Sequence, residues 1–437
     1  MQRSMATSVG ALDQAWWQRK PVQQGWFTPA MLEIAAVAVA ALAVTFNPLL
    51  AIVNGHVHTL GGGIVAMIQA MLTFGALLIG GFSRGTVTRW MVVAWALGVV
   101  FVALSLMRGD LAVKNLGDVL IIPAFIALGQ RIRPAVLVRL VIGLQTAITV
   151  VGVLELLFPS LYATVFKVTE YYVSTRGFDE EAFWAGNDLF LSSQRPGGRL
   201  LLDGFGFHRG SSLFLEPVSL GNWVIVVAIF LAGFWRDLSW RARAFLAISN
   251  LALLVVCDGR LALGVCVVLA LYAPFARRIP SSLSFFYLPG VLLLLTVLIA
   301  AGYLATEGDT LPGRLNVGYH SLVGLDLADM MAFGSQPLNA DAGWVYFIQT
   351  QSLLIGVAMW GLVTLTHIGE DDGARMYKHG LVLFLAMCLP VSYSVLSIKT
   401  MSILWCGYGC LFAHAVSRTS RDPRVEESVR TARVTAH

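Results

Sequence analysis

The chain has 437 residues, of which 57% are hydrophobic and only 13% charged, and its mean hydropathy is +0.74. Soluble domains carry about a quarter charged residues, so this composition excludes an ordinary soluble enzyme and places the chain among integral membrane proteins. Its 30 Lys and Arg outnumber 25 Asp and Glu, giving a net charge of +5, which reads as an arginine bias of membrane loops and not as a nucleic-acid surface.

In chain order, residues 1–29 are polar, carry Trp16, Trp17, Trp26 and Phe27, and lack an apolar core. They predict a cytoplasmic segment with interfacial aromatics and no cleavable signal peptide. Twelve apolar runs follow, at 30–53, 62–81, 90–106, 112–128, 136–158, 213–234, 244–257, 260–275, 285–304, 343–365, 379–396 and 400–416. A span takes about 20 residues at 1.5 Å each. The predicted fold class is therefore an all-α polytopic membrane protein, with about twelve transmembrane helices forming one unit over 30–416. The pair 244–257 and 260–275 is short, and reads either as two tilted helices or as a re-entrant hairpin, with Asp258-Gly259-Arg260 at its tip. The charged tail 417–437 is expected to be cytoplasmic and disordered.

Orientation follows from the basic residues. With both termini cytoplasmic, 20 of the 30 Lys and Arg fall on the inside, and every inside connection carries at least two, such as Arg131 and Arg133 or Arg277 and Arg278. This satisfies the positive-inside rule at each step. Two connections, 159–212 and 305–342, are long and lie on the external face. Loops longer than about 12–15 residues are usually functional or disordered. The mixture of aromatics, glycines and charges in these two predicts order. No internal repeat, soluble domain or nucleotide-binding glycine loop is present. Cys257, Cys266, Cys388, Cys406 and Cys410 lie in or beside apolar runs without metal-type spacing and read as packing residues.

Three groups carry candidate chemistry. The first is His208-Arg209-Gly210-Ser211-Ser212-Leu213-Phe214-Leu215-Glu216-Pro217, where Arg209 falls just outside the bilayer and Glu216 a turn or two into the next helix. A carboxylate there needs a partner or a wet cavity. The run reads either as an Arg209–Glu216 anchor pair or as a phosphate-binding cation beside a base. The second is Asp258-Gly259-Arg260, either a turn with a snorkelling arginine or a guanidinium fork for phosphate. The third spans Leu311-Pro312-Gly313-Arg314, His320, Asp326, Asp329 and Asp341-Ala342-Gly343-Trp344-Val345-Tyr346. Taken singly, His320 reads as an ordinary loop histidine and Asp341 as a helix N-cap. Lys114 and Asp118 share a helix face and are expected to neutralise each other; Glu155 is expected at the interface. Several arginines at one membrane surface suit bidentate contact with a lipid diphosphate.

On these motifs the chain resembles the bacterial polysaccharide polymerases of the Wzy type and the related O-antigen ligases, with a GT-C-like membrane architecture. The resemblance covers most of the chain in architecture, and about 210–260 and 310–360 in motifs. The run Arg209 to Pro217, followed by Gly221, is similar to the family's Arg-Gly-x-x-Phe-x-x-Pro-like stretch. Asp258-Gly259-Arg260 sits where the family has a Ser-Arg-Gly-like step, and Gly313-Arg314 where it has a Gly-Arg step. The segment from Asp341 to Gly361 resembles its aromatic re-entry, although ligases carry a His-Asn pair there. That departure favours a polymerase, of the exopolysaccharide (xanthan) kind.

The resemblance implies transfer between undecaprenyl-diphosphate-linked oligosaccharide units at the outer face of the bacterial inner membrane. His208, Arg209, Arg260 and Arg314 would hold the diphosphate, and Glu216, His320 and Asp341 are the candidate bases. No cofactor, metal or nucleic acid is implied. Membrane lipid, a chain-length-regulating co-polymerase and export machinery are the implied partners. An O-antigen ligase and a lipid or polysaccharide transporter are the rival readings.

Overall fold

Every apolar run falls at least partly on helix in the computed structural model, which describes residues 28–81, 89–179, 183, 188–194, 198–304, 310–334 and 342–419. Among the described residues there is no β-strand. Helices α1 (Pro29–His56), α2 (Gly62–Gly81), α3 (Arg89–Arg108), α4 (Val113–Gly129) and α5 (Pro134–Leu157) come first. The first long connection holds α6 (Pro159–Phe166) and α7 (Val168–Arg176). Then come α8 (Pro217–Gly233), α9 (Trp240–Cys257), α10 (Arg260–Ala276) and α11 (Tyr287–Ala300). The second long connection holds α12 (Leu311–Val323) and α13 (Leu327–Met330), and α14 (Gly343–Gln351), α15 (Leu353–Leu365), α16 (Asp372–Cys388) and α17 (Ile398–Thr419) complete the chain. Of the expected terminal segments 1–29 and 417–437, residues 1–27 and 420–437 lie outside the described residues, and 417–419 continue α17 instead of opening a disordered tail.

Local chemistry sets these boundaries. Pro29 opens α1 where a missing N–H costs nothing, and the Thr28 hydroxyl accepts from the Met31 amide. Ser239 caps α9 through the Ala242 amide, and Asp371 caps α16 through the Ala374 amide.

Among the described residues six helices are long and apolar enough to cross a membrane: α1, α2, α3, α5, α9 and the stretch Ser281–Ala300 that ends in α11. Exposed side chains such as Trp95, Val102 and Leu106 on α3, and Leu293, Leu294 and Val297 on α11, give these helices outward faces suited to lipid and poorly suited to water. The described helices therefore suggest a multi-pass membrane protein.

The expected count of about twelve spans is not reached by length. The run 343–365 is not one straight helix: Ser352 takes φ 87°, a left-handed backbone, and α14 and α15 meet at 114°. With that bent pair the count of candidate spans is seven. Helices α8 and α10 have 17 residues each, about 25 Å at the usual rise. The run 379–396 also shifts. Its helix starts earlier, at the Asp371 cap, and ends at Cys388, leaving 389–397 as a turn.

Helix α4 is the buried axis of the bundle, covered from Asp118 to Gly129 and packed on α2 and α17. It meets α17 backbone to backbone. A Cβ on Gly129 would strike the Cys406 carbonyl, and one on Gly409 would strike the Ile126 carbonyl. Small residues are what allow such an approach between apolar helices. Gly129→Val is expected to cost at least about 1–3 kcal/mol, the usual penalty of overpacking. A fall in the detergent unfolding temperature would register it, and an unchanged value would rule out the tight crossing. Polar ties join the other helices: Gln145 of α5 donates to Ser249 of α9 at 2.9 Å and accepts from the Trp223 indole of α8 at 2.7 Å.

Contacts sort the helix ends onto two faces. The Thr175 carbonyl abuts Gly62, Asp258 accepts from the Leu200 amide, and the Pro390 carbonyl abuts Gly318. Both long connections thus share a face with the turns 258–259 and 389–397, hereafter the loop face. On the opposite face Arg131 donates to the Gly80 carbonyl at 2.8 Å, and Arg236 pairs with Asp372 at 2.9 Å.

Candidate functional site

The first long connection is anchored from beneath. Tyr171 on α7 donates to Asn47 of α1 at 3.0 Å, and Tyr162 on α6 donates to the Ser212 carbonyl at 2.6 Å. Tyr172, Phe178, Phe183 and Phe190 pack ring against ring above α1. Burial of aromatics gives this connection a small core of its own.

Glu216 lies just before α8 as its N-cap, not a turn or two inside it. Four side chains converge on its carboxylate: Arg176 at 2.9 Å, Lys399 at 3.2 Å, the Tyr172 hydroxyl at 2.9 Å and the Ser219 hydroxyl at 2.8 Å. Burial alone would raise this carboxyl, but Lys399 and Arg176 hold it down to about 2. Glu216 is therefore a fixed anion that orients two cations, and its hold on protons is too weak for an efficient base.

The anchor pair Arg209–Glu216 is not formed. Buried Arg209 donates instead to the Cys257 carbonyl and the Ser192 carbonyl, each at 3.0 Å, stitching the first connection to the end of α9. Beside it, Asp258 accepts from the amides of Leu200 and Leu201 at 2.8–3.1 Å, and Arg199 donates to the carbonyls of His208 and Val255. Asp258 takes φ 46°, a conformation that Asp tolerates better than most residues. Asp258→Ala is expected to loosen the connection, speeding protease cleavage within 198–212 several-fold with the helices intact. Unchanged cleavage would remove this anchoring role.

Glu155 is fully buried, not interfacial. Its Oε2 accepts from the Ser211 and Ser212 amides at 2.8 and 2.6 Å, and its Oε1 lies 3.6 Å from His208 Nε2. His208 thus faces a carboxylate.

Arg260 opens α10 and is half-buried. Its Nε is buried without an acceptor, and no hydrogen bond or ion pair engages the guanidinium among the described residues. Its neighbour Gly259 lies against Gly221 of α8, whose next residue Asn222 donates to Ser394 at 2.8 Å.

Lys114 and Asp118 do not pair. The Lys114 ammonium sits over the rings of Tyr393 (5.5 Å) and Tyr346 (5.8 Å), which stack with centroids 5.1 Å apart. Asp118 accepts from the Tyr346 hydroxyl at 2.5 Å. The bend at Ser352 lays α14 across the bundle end and brings Tyr346 there. Arg108 braces that bend, donating to the carbonyls of Ala332, Gln349 and Thr350.

Arg314 and His320 sit on α12, His320 exposed. Among the described contacts none joins either to Arg209, Arg260 or Glu216. Asp326 caps α13 by accepting from the Asp329 amide, and Asp341 lies outside the described residues. The five cysteines are free thiols, four of them buried as packing residues. Among the described residues no group of His, Cys, Asp and Glu suits a metal ion.

Sequence reasoning brought Glu216, Asp258, Arg260 and Tyr346 to the loop face but missed Arg176, Tyr393 and Lys399. Lys399 alone gave a usable signal, as a lysine in the three-residue gap between two apolar runs. Compared with known protein families, curated proteins and solved structures, the chain matches none.

Proposed function

We propose that this protein is a membrane glycosyltransferase that joins undecaprenyl-diphosphate-linked oligosaccharide units, a polysaccharide polymerase acting at the outer face of a bacterial inner membrane. In this reading the chain crosses the bilayer about twelve times with both termini cytoplasmic, and the loop face looks outward. The observation that carries it is a charge imbalance at that face. Among the described residues Lys114, Arg176, Arg260 and Lys399 lie at that face; Glu216 pairs with Arg176 and Lys399, while no carboxylate ion-pairs with Lys114 or Arg260. Charges at a membrane protein's core are costly and need partners. Lys114 and Arg260, two cations without an ion-pair partner among those residues, suit the negative charge of a lipid diphosphate carrying a sugar.

The chemistry follows from that match. The departing lipid diphosphate is a stable anion, so it needs preorganised cations more than a proton donor. Arg260 offers a fork with unused donors, while Arg176 and Lys399 are aligned by Glu216. Arg209, placed among the diphosphate ligands by the resemblance, serves here to position the first connection.

The test is direct. The purified protein in lipid nanodiscs, given undecaprenyl-diphosphate-linked oligosaccharide without ATP or added metal, should release undecaprenyl diphosphate and form longer chains. The bend between α14 and α15 favours one rival, because broken helices are common in transporters. Movement of intact lipid-linked substrate across proteoliposomes with no chain growth would establish that rival and end the polymerase reading.

A further inference from the structure

Glycosyl transfer needs a group that takes the acceptor hydroxyl's proton, and the loop face narrows the choice. Glu216 is held by two cations and two hydroxyls. Glu155 is tied to two backbone amides and faces His208, and Asp258 is tied to the amides of Leu200 and Leu201. Glu170 pairs with Lys167 at 3.2 Å. Asp118 differs. It lies one turn below the exposed Lys114, whose charge it feels without forming an ion pair, and its bonded partners are the Tyr346 hydroxyl at 2.5 Å and the Gln69 side chain of α2. Asn115 Oδ1 stands 3.4 Å from the same hydroxyl as a second, weaker acceptor. The stacked rings of Tyr346 and Tyr393 lie beside the pair, with Lys114 over both. Tyr346 is buried, so the half-buried Tyr393 is the ring of the pair that a sugar's C–H face can approach while its hydroxyls reach polar groups.

Resting on the polymerase reading, we propose that Asp118 is the catalytic base for the acceptor sugar, with Tyr346 as its positioning residue and the half-buried Tyr393 ring as the acceptor platform. As the acceptor oxygen bonds the donor's anomeric carbon, its proton passes to the Asp118 carboxylate. The bond from that carbon to the bridging phosphate oxygen breaks, and its electron pair leaves with the lipid diphosphate. Asp118 then returns the proton to water.

The test uses the full chain in nanodiscs with lipid-linked oligosaccharide, measuring rate against pH and donor concentration. Asp118→Asn should lower kcat at least about 100-fold, the usual scale for a lost general base, with the donor KM within about two-fold. Tyr346→Phe removes a hydrogen bond to the ionised carboxylate, so the acidic limb of the pH–rate profile should move to higher pH. A purely structural role would reduce folded protein without moving that limb. Should Asp118→Asn fail to fold, the limb of Tyr346→Phe decides alone. An active wild type with an unmoved limb, or with a folded Asp118→Asn variant near full rate, overturns the base assignment and leaves the polymerase standing. A wild type that elongates nothing removes both.

Discussion

Arg260→Ala is expected to abolish chain growth while the protein folds as well as before. Both halves follow from the same observation: among the described residues nothing bonds the Arg260 guanidinium, and its Nε is buried without an acceptor. A buried, unpaired donor costs about 1–3 kcal/mol. Truncation therefore removes a liability, and the unfolding temperature in detergent should hold or rise slightly. Function is the compensating gain that keeps such a group in place. If Arg260 holds the departing diphosphate, losing it resembles losing one oxyanion donor, about 10²–10³ in rate. Single lipid-linked units should then accumulate in cells. Arg260→Lys keeps the charge without the bidentate fork and should recover only part of the rate. Polymer at the normal level in the alanine variant would take Arg260 out of the site. A collapse of folded yield would mean that it serves the fold instead.

Much of the frame was legible in the apolar runs because a membrane core demands continuous helices with internally satisfied backbones. The runs 30–53, 62–81 and 90–106 became α1, α2 and α3 with ends displaced by only a few residues. The break at Ser352 was not legible. The polar step Gln349-Thr350-Gln351-Ser352 interrupts the apolar run, yet nothing in it specifies a left-handed serine or the angle of the turn. That break matters because it turns Tyr346 toward Asp118. The site was half legible for a related reason. Sequence neighbours such as Arg209 and Glu216, or Lys114 and Asp118, invite local pairing. The fold prefers distant partners: Glu216 takes Lys399, which is 183 residues away, and Asp118 takes Tyr346, which is 228 residues away. Helix-face rules describe an isolated helix, whereas a bundle satisfies its buried charges with whatever side chain the neighbouring helix presents.

Glu216→Leu is expected to destabilise the protein more than any other single change at the loop face. The Lys399 side chain is 6% exposed, and Glu216 is its ion-pair partner among the described residues. Removing one member of a buried pair leaves an uncompensated charge and costs about 3–5 kcal/mol. The Arg176 side chain is 40% exposed, so water screens its share and that contact adds little. The reverse change, Lys399→Leu, should cost less, because Glu216 keeps Arg176, Tyr172 and Ser219. Replacing both should restore most of the loss, since no unpaired buried charge remains, and the cycle should show a coupling of about 1–3 kcal/mol. Acid offers an independent check. The Glu216 carboxyl is depressed, so its stabilising contribution is present above the ordinary carboxylate value of 4.5 and lost as pH falls toward about 2. Unfolding in detergent should become easier across that window in the wild type, while Glu216→Leu, lacking the group, should lose the portion of that dependence owed to it. A single variant within about 1 kcal/mol of wild type, or a double variant no better than Glu216→Leu, would mean that Lys399 is not held by Glu216. The alignment of the two cations for a diphosphate would then have no structural basis.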